Sequence, residues 1–172
     1  MVEVCLGLGS NVEPDQHIRS ALNQLSEIFG TLTVSRVFES EAVGFKGNNF
    51  YNLVVIINTD LTLRDLIKKL RSIENENGRD RSKPKFSPRT LDIDVLTYGD
   101  LVGDFSGVRL PRDEILKNAF VLWPLAELVP DYKHPETGET YATLWRGYDK
   151  SQQQLMPVDF YWRGEFISRS GE

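Results

Sequence analysis

Hydrophobic positions along the chain switch repeatedly between the spacing of a strand and the spacing of a helix. Residues 2–8 form a short apolar run that ends at Gly9-Ser10-Asn11, which predicts a strand followed by a turn. After Pro14-Asp15 the apolar residues recur at helical spacing until Gly30, and they are Ile18, Leu22, Leu25 and Ile28. The chain is therefore predicted to open with a strand and then a helix.

Two more strands and a second helix are predicted next. Apolar and polar residues alternate enough over residues 32–40 to predict one strand, and residues 50–58 contain the most β-prone run in the chain. We expect these two strands to pair antiparallel across the Gly- and Asn-rich loop 44–49. Thr62-Leu63-Arg64-Asp65 resembles a capping box, and the apolar residues after it lie on one helical face until about Asn77.

A fourth strand over residues 91–98 completes the pattern. Gly78 is well placed to end the second helix, and two prolines keep the segment that follows it out of regular structure. The resulting order, β-α-β-β-α-β, predicts an α+β fold of the ferredoxin-like kind. Such a fold has an antiparallel sheet with two helices packed on one face.

The rest of the chain predicts a hairpin over residues 101–110, then a helix and a polar tail. Residues 119–129 are apolar nearly all round, which indicates a buried helix. Proline is tolerated in the first turn of a helix, so Pro124 places the predicted start near Leu122 or Trp123. From Asp131 the chain is polar and rich in turns. We therefore expect one domain over residues 1–130 and a C-terminal appendage over residues 131–172 that packs loosely on the same domain.

Composition narrows the class of protein. The chain has 172 residues and a formal net charge of −5, which suits one domain with a full core and argues against a general nucleic-acid binder. Its single cysteine, Cys5, permits no intrachain disulfide, and no apolar run is long enough for a signal peptide or membrane span. We expect a cytoplasmic protein that binds small molecules, away from membranes and nucleic acid, as a monomer or weak homodimer.

Charge is concentrated just before the fourth strand. Five of the eleven residues 79–89 are basic, and they lead into Asp92-Ile93-Asp94. Side chains alternate along a strand, so the two acids share one face. Solvated basic loops and solvent-facing acid pairs are common separately, but close carboxylates repel unless a cation lies between them. Together they predict a site for a polyphosphate with bound Mg²⁺.

These residues also carry a resemblance to a known family. Gly78-Arg79-Asp80-Arg81 followed by Ser87-Pro88-Arg89-Thr90-Leu91-Asp92-Ile93-Asp94 resembles the signature of the 6-hydroxymethyl-7,8-dihydropterin pyrophosphokinases, enzymes of folate biosynthesis. Three further segments resemble the family in the same order: Gly9-Ser10-Asn11, Phe50-Tyr51-Asn52-Leu53 and Phe120-Val121-Leu122-Trp123-Pro124-Leu125. The resemblance implies transfer of pyrophosphate from ATP to the pterin hydroxymethyl group, with AMP leaving and two Mg²⁺ ions.

The resemblance also implies roles for individual residues. Asp92 and Asp94 match the metal ligands, and Glu74 matches a supporting acid at a helix end. Three arginines match residues that contact ATP or stabilise charge during transfer, namely Arg79, Arg81 and Arg89. For the pterin, Phe86 and Phe120 match two aromatic residues that sandwich the ring. Asn52 matches an amide that binds the ring edge. Other parts of the pocket wall are matched by Ser40, Val43 and Phe50.

The sequence departs from the family pattern at two places. The family typically has a histidine where this chain has Arg112, and an arginine where it has Asn118. Arg112 restores one cation for ATP, or forms a salt bridge with Asp113 or Glu114 instead. Three readings follow: an active pyrophosphokinase, a divergent paralogue that binds pterin or nucleotide with weakened or altered transfer, and a ferredoxin-like RNA binder. The last lacks the required basic and aromatic strand motif.

Overall fold

The computed structural model describes residues 1–40, 49–78 and 90–171. Within them the strands are β1 (Val2–Ser10), β2 (Thr33–Val34), β3 (Val37–Ser40), β4 (Phe50–Thr59), β5 (Asp92–Tyr98), β6 (Gly103–Phe105), β7 (Val108–Leu110), β8 (Leu155–Val158), β9 (Phe160–Trp162) and β10 (Glu165–Ser168). The helices are α1 (Pro14–Phe29), α2 (Leu63–Glu76), α3 (Glu114–Lys117), α4 (Ala119–Leu128) and α5 (Tyr141–Arg146). None of the described helices is both long and apolar enough to cross a membrane.

One antiparallel sheet organises the molecule. Its strands lie in the order β5-β1-β4-β3-β8, and β2 pairs with β4 beside this path. The long central pair β1 and β4 runs in register from Val2 opposite Thr59 to Ser10 opposite Tyr51. The order of the first four predicted strands is that of a ferredoxin-like fold, so the predicted α+β class is confirmed. The predicted hairpin also forms, as β6 and β7.

Each face of the sheet has its own apolar core. The first core lies under α1 and α2 and includes Leu6, Val55 and Ile93. The second lies under α3, α4 and α5 and includes Val54 and Leu96. Neighbours along one strand therefore enter opposite cores, as the alternation of side chains requires.

The predicted strand over residues 32–40 is wrong in one respect, because the structure divides it into β2 and β3. Ser35 lies between them, and its hydroxyl accepts a hydrogen bond from the Val54 N–H at 2.8 Å. The same hydroxyl donates to the Arg36 carbonyl at 2.8 Å. A side chain therefore replaces one backbone partner of β4 where the strand is interrupted.

The predicted start of the late helix is also wrong. α4 begins at Ala119 and contains Pro124 in its interior. Pro124 has no N–H for the carbonyl one turn earlier, which costs helix stability. Burial outweighs this cost, since α4 is apolar and most of its side chains lie in the second core: Ala119, Val121, Leu122, Pro124, Leu125 and Ala126.

The expectation of a loosely packed tail is wrong as well. β8 pairs with β3 and extends the main sheet, with Leu155 opposite Ser40 and Val158 opposite Val37. Phe160 is only 1% exposed and belongs to the first core. The polar composition after residue 131 conceals these few buried residues, because they are scattered among turns.

Candidate active site

Four strands of the main sheet begin or end at the same edge, meaning the edge formed by strand ends and not an outer strand. β1 and β3 end there, at Ser10 and Ser40, and β4 and β5 begin there, at Phe50 and Asp92. Neighbouring strands in the sheet are antiparallel, so ends that are distant in sequence become adjacent in space. Five of the predicted site residues lie on or beside this edge: Ser40, Phe50, Asn52, Asp92 and Asp94.

The acid pair faces away from the first core. Asp92 lies opposite Gly9 and Asp94 opposite Gly7 in the pairing of β1 with β5. Ile93, between the two acids, is 6% exposed and packs in the first core, so both carboxylates point to the other face of the sheet. Both acids are partly exposed. The predicted same-facing arrangement is confirmed.

Glu74 ties helix α2 to the strand that carries the acids. β5 is an edge strand on this side of the sheet, so alternate N–H groups along it point away from β1. The buried Glu74 carboxylate accepts a hydrogen bond from the Ile93 N–H at 2.7 Å. This contact fixes the backbone of β5 midway between Asp92 and Asp94.

Gly9 makes room for the Asn52 amide. A Cβ atom added to Gly9 would lie 3.0 Å from Asn52 Oδ1, a very close approach. Asn52 is 7% exposed, and its Nδ2 donates a hydrogen bond to Ser40 Oγ at 2.9 Å. The amide therefore lies over the glycine with its nitrogen held by Ser40. Such an amide offers both a donor and an acceptor group to a ligand ring edge.

Arg112 is paired with acids of the protein itself. Its Nη2 donates to Glu114 Oε1 at 3.0 Å and lies 3.6 Å from Asp94 Oδ1. Burial disfavours the charge of Arg112, but the charge of Asp94 and the hydrogen bond to Glu114 outweigh it and raise the pKa of Arg112. Arg112 therefore forms the predicted salt bridge with Glu114, and its contact with ATP stays a prediction.

The N-terminal end of α4 lies over the same face of the sheet. Phe120, in the first turn, is half-buried against the second core. Asn118 precedes the helix, and its Oδ1 accepts a hydrogen bond from Gln153 Nε2 at 2.8 Å. Trp123 contacts Phe38 of β3, with ring centroids 4.6 Å apart, so aromatic packing joins this helix to the sheet.

Some predicted site residues lie outside the described part of the chain. They are Val43 in one segment and Arg79, Arg81, Phe86 and Arg89 in the other. The first segment lies between Ser40, the last residue of β3, and Asn49, just before β4. The second lies between Gly78, just after α2, and Thr90, just before β5. Both segments therefore join the described chain beside the elements that carry the site.

Two features of the site were missed by sequence reasoning. Gly7 lies opposite Asp94, and a Cβ there would lie 3.3 Å from the Leu96 side chain. The alternation of leucine with glycine over residues 6–9 was the signal, since a glycine at every second position marks one face of a strand. Gln153 is the other, and it gave no sequence signal because it lies among three consecutive glutamines.

The acid pair fits a hard divalent cation that shares its coordination with a substrate. No group of three or more histidine, cysteine, aspartate or glutamate side chains that could hold a metal occurs among the described residues. Two carboxylates on one face leave coordination positions for phosphate oxygens and water, an arrangement that Mg²⁺ favours. The donor set is all oxygen, which is unsuited to a thiolate or imidazole metal centre.

Fold and site together define the class as an α+β protein whose antiparallel sheet presents paired acids and a buried amide at one edge. The family model for 7,8-dihydro-6-hydroxymethylpterin-pyrophosphokinase (HPPK) matches residues 5–130. The chain belongs to this family.

Individual relatives agree with this assignment. A 2-amino-4-hydroxy-6-hydroxymethyldihydropteridine pyrophosphokinase of Aquifex aeolicus is 37% identical over 137 residues, covering 78% of this chain and 85% of the relative. The protein of the same name from Pseudomonas aeruginosa is 36% identical, covering 77% of this chain and 84% of the relative.

Solved structures support the fold. A Plasmodium falciparum HPPK-DHPS structure superposes with a TM-score of 0.69 at 14% identity, covering 97% of this chain and 50% of that one. An HPPK-DHPS in complex with substrates superposes with a TM-score of 0.68 at 14% identity, covering 88% of this chain and 44% of that one. This chain therefore spans about half of those longer proteins, and the likeness concerns the fold alone.

Proposed function

We propose that this protein transfers pyrophosphate from ATP to the hydroxymethyl group of 6-hydroxymethyl-7,8-dihydropterin and releases AMP, as a step of folate biosynthesis. The observation that carries the proposal is the placement of Asp92, Asp94 and Asn52 on one face at one edge of the sheet. Membership of the pyrophosphokinase family and the names of the relatives support it.

The proposed reaction forms one P–O bond, breaks another and releases the hydroxyl proton to solvent. The pterin hydroxymethyl oxygen bonds to the β-phosphorus of ATP and loses its proton, and the bond from that phosphorus to the AMP oxygen breaks. Little covalent work falls to the protein, so positioning and charge stabilisation carry the rate.

Asp92 and Asp94 are the proposed metal ligands of the site. They would hold the divalent cations that accompany ATP, two Mg²⁺ ions in our proposal, and bound ions would offset charge on the phosphate oxygens. Glu74 keeps β5 in place between the two acids through the Ile93 N–H. Arg79, Arg81 and Arg89 are proposed to bind the phosphates, because a guanidinium group matches phosphate oxygens in a fixed, two-pronged geometry. Arg112 would add a further contact to ATP.

Asn52 is proposed to read the edge of the pterin ring. Its amide is nearly buried and held by Ser40, so its orientation is fixed before ligand binds. Phe120 and Phe86 are proposed to hold the flat ring between their faces, an arrangement that aromatic rings favour. Phe50 and Val43 would complete the wall.

The decisive experiment measures AMP release. Purified protein is incubated with ATP, Mg²⁺ and 6-hydroxymethyl-7,8-dihydropterin, and AMP is quantified against matched reactions that lack the pterin or the metal. We expect AMP and pyrophosphorylated pterin in equal amounts, only in the complete reaction. Calorimetric binding of both substrates with no AMP formed would refute the transferase and identify a binding paralogue.

A further inference from the structure

One side chain from the C-terminal segment bridges the start of α4. Gln153 Oε1 accepts a hydrogen bond from the Ala119 N–H at 2.8 Å, and Gln153 Nε2 donates to Asn118 Oδ1 at 2.8 Å. The first N–H groups of a helix have no partner within it, so Gln153 caps α4 from a distant part of the chain. Asn118 makes no side-chain cap of its own.

The same segment also holds the opposite wall of the site. Two residues after Gln153, Leu155 begins β8 and lies opposite Ser40 of β3. Ser40 accepts the hydrogen bond from Asn52. Residues 153–155 therefore join the start of α4, next to Phe120, to the strand end that orients Asn52.

We propose that Gln153 is a positioning residue for the pterin site, which sets Phe120 at the correct distance and angle from Asn52. The inference rests on the proposed function, because it assigns these two residues to one ligand. It concerns a residue beyond the segment that matches the family model, which ends at residue 130. The C-terminal segment thus becomes part of the substrate site.

Glutamine suits this position because its amide is both donor and acceptor. The oxygen satisfies Ala119 N–H while the nitrogen satisfies Asn118 Oδ1. Gln154, the next residue, is exposed and provides a matched control of the same chemistry.

The first test compares Gln153→Ala with Gln154→Ala. Gln153→Ala is expected to raise the KM for pterin, measured at saturating ATP, about five- to tenfold, since a lost helix cap weakens local order. The KM for ATP, measured at saturating pterin, should stay within about twofold. Faster hydrogen exchange at the Ala119 amide should accompany it. Gln154→Ala should change none of these quantities.

The second test uses the pairing of donors and acceptors. In Gln153→Glu, the Asn118 amide can turn to donate to the carboxylate, and in Asn118→Asp, Gln153 still donates. Each single variant is expected to keep the KM for pterin within about twofold. The double variant places two acceptors face to face, so its KM should exceed the product of the single effects by at least about fivefold.

The outcomes separate the inference from the function. Faster exchange at Ala119 with an unchanged KM for pterin would overturn the inference and leave the pyrophosphokinase intact. Equal rises in the KM for pterin and for ATP would overturn it too, because general loosening would explain them. Wild-type protein that neither releases AMP nor binds pterin would refute the function and the inference together.

Discussion

The two faces of the sheet are formed by the same strands but differ in role: one packs in the first core and the other carries the candidate site. On β1, Leu6 and Leu8 enter the first core, whereas Gly7 and Gly9 between and after them face the site. On β5, Ile93 enters the first core, whereas Asp92 and Asp94 face the site. A shift of one residue therefore separates a position that stabilises the fold from a position in the proposed substrate site.

The second face is itself divided along the strands. Toward the middle it is apolar, where Cys5, Val54 and Leu96 pack beneath α4 and α5. Toward the strand ends the same face carries Gly9, the Asn52 amide and the Asp92 carboxylate instead. The apolar half is a rigid support on which the polar half is held, so the comparison predicts that substitutions on opposite faces separate activity from stability.

The largest separation is expected for the acid pair. Asp92→Ala or Asp94→Ala should each lower kcat/KM by about a thousandfold, or ~4 kcal/mol, because each removes a proposed ligand for the cations that accompany ATP. The free energy of unfolding should change by less than about 1 kcal/mol, since both side chains are partly exposed. AMP-release kinetics and urea unfolding measure the two quantities.

Asp104, an exposed acid on β6, provides the matched control for that experiment. Asp104→Ala should leave both quantities unchanged. A loss smaller than about a hundredfold in both site variants, ~2.7 kcal/mol, would mean that these carboxylates do not hold the catalytic cations.

The opposite separation is expected on the other face. Leu6 is fully buried in the first core, so Leu6→Ala should reduce the free energy of unfolding by about 3 kcal/mol. Activity per folded molecule should stay within a few-fold of wild type. The exposed Leu101 is the control, because Leu101→Ala removes the same atoms with little loss of burial.

Much of this division could be predicted from the sequence. Alternation alone indicated that Asp92 and Asp94 share one face, and the order of helices and strands indicated the sheet. The hydrogen bond between Asn52 and Ser40 was not predicted, although the resemblance assigned both residues to the pterin pocket, because it depends on the register of β3 against β4. Periodicity describes one strand at a time and does not set the register between two strands.

The errors arose where tertiary contacts override local preference. Pro124 indicated a later start for α4, yet burial of its apolar side chains and a cap from Gln153 extend the helix to Ala119. The polar tail concealed β8 because Pro157 lies in that strand and glutamines precede it. Pairing with β3 at the edge of the sheet tolerates a proline that a central strand would not.

Glu74 tests whether the acids depend on their backbone support. Glu74→Ala leaves the Ile93 N–H without its buried partner, so the free energy of unfolding should fall by about 2 kcal/mol. Because Ile93 lies between the two acids, kcat should fall as well. Glu74→Gln keeps an acceptor oxygen and should recover most of both quantities, and failure of this rescue would show that the negative charge itself is required.

Gly9 tests the room made for the amide. In Gly9→Ala the new Cβ meets Asn52 Oδ1 at 3.0 Å, so the amide must shift and the KM for pterin should rise about tenfold, or ~1.4 kcal/mol. Gly7→Ala is the matched control, because the three atoms nearest to its Cβ all belong to the flexible Leu96 side chain, the first of them at 3.3 Å. Equal effects of both variants on the KM for pterin would contradict the assignment of Asn52 to the ring edge.

The smallest effect is expected for the hydroxyl that orients Asn52. Ser40→Ala removes the acceptor 2.9 Å from Asn52 Nδ2, and the KM for pterin should rise about threefold to fivefold, within the ~1 kcal/mol that one such hydrogen bond contributes. Ser35→Ala removes another buried hydroxyl, just before β3 begins, where it accepts from the Val54 N–H. We expect that control to lower stability and leave the KM for pterin unchanged. The two serine variants would then distinguish an effect on pterin binding from an effect on stability. If Ser35→Ala raised the KM for pterin and Ser40→Ala did not, the pterin would not bind at this edge of the sheet.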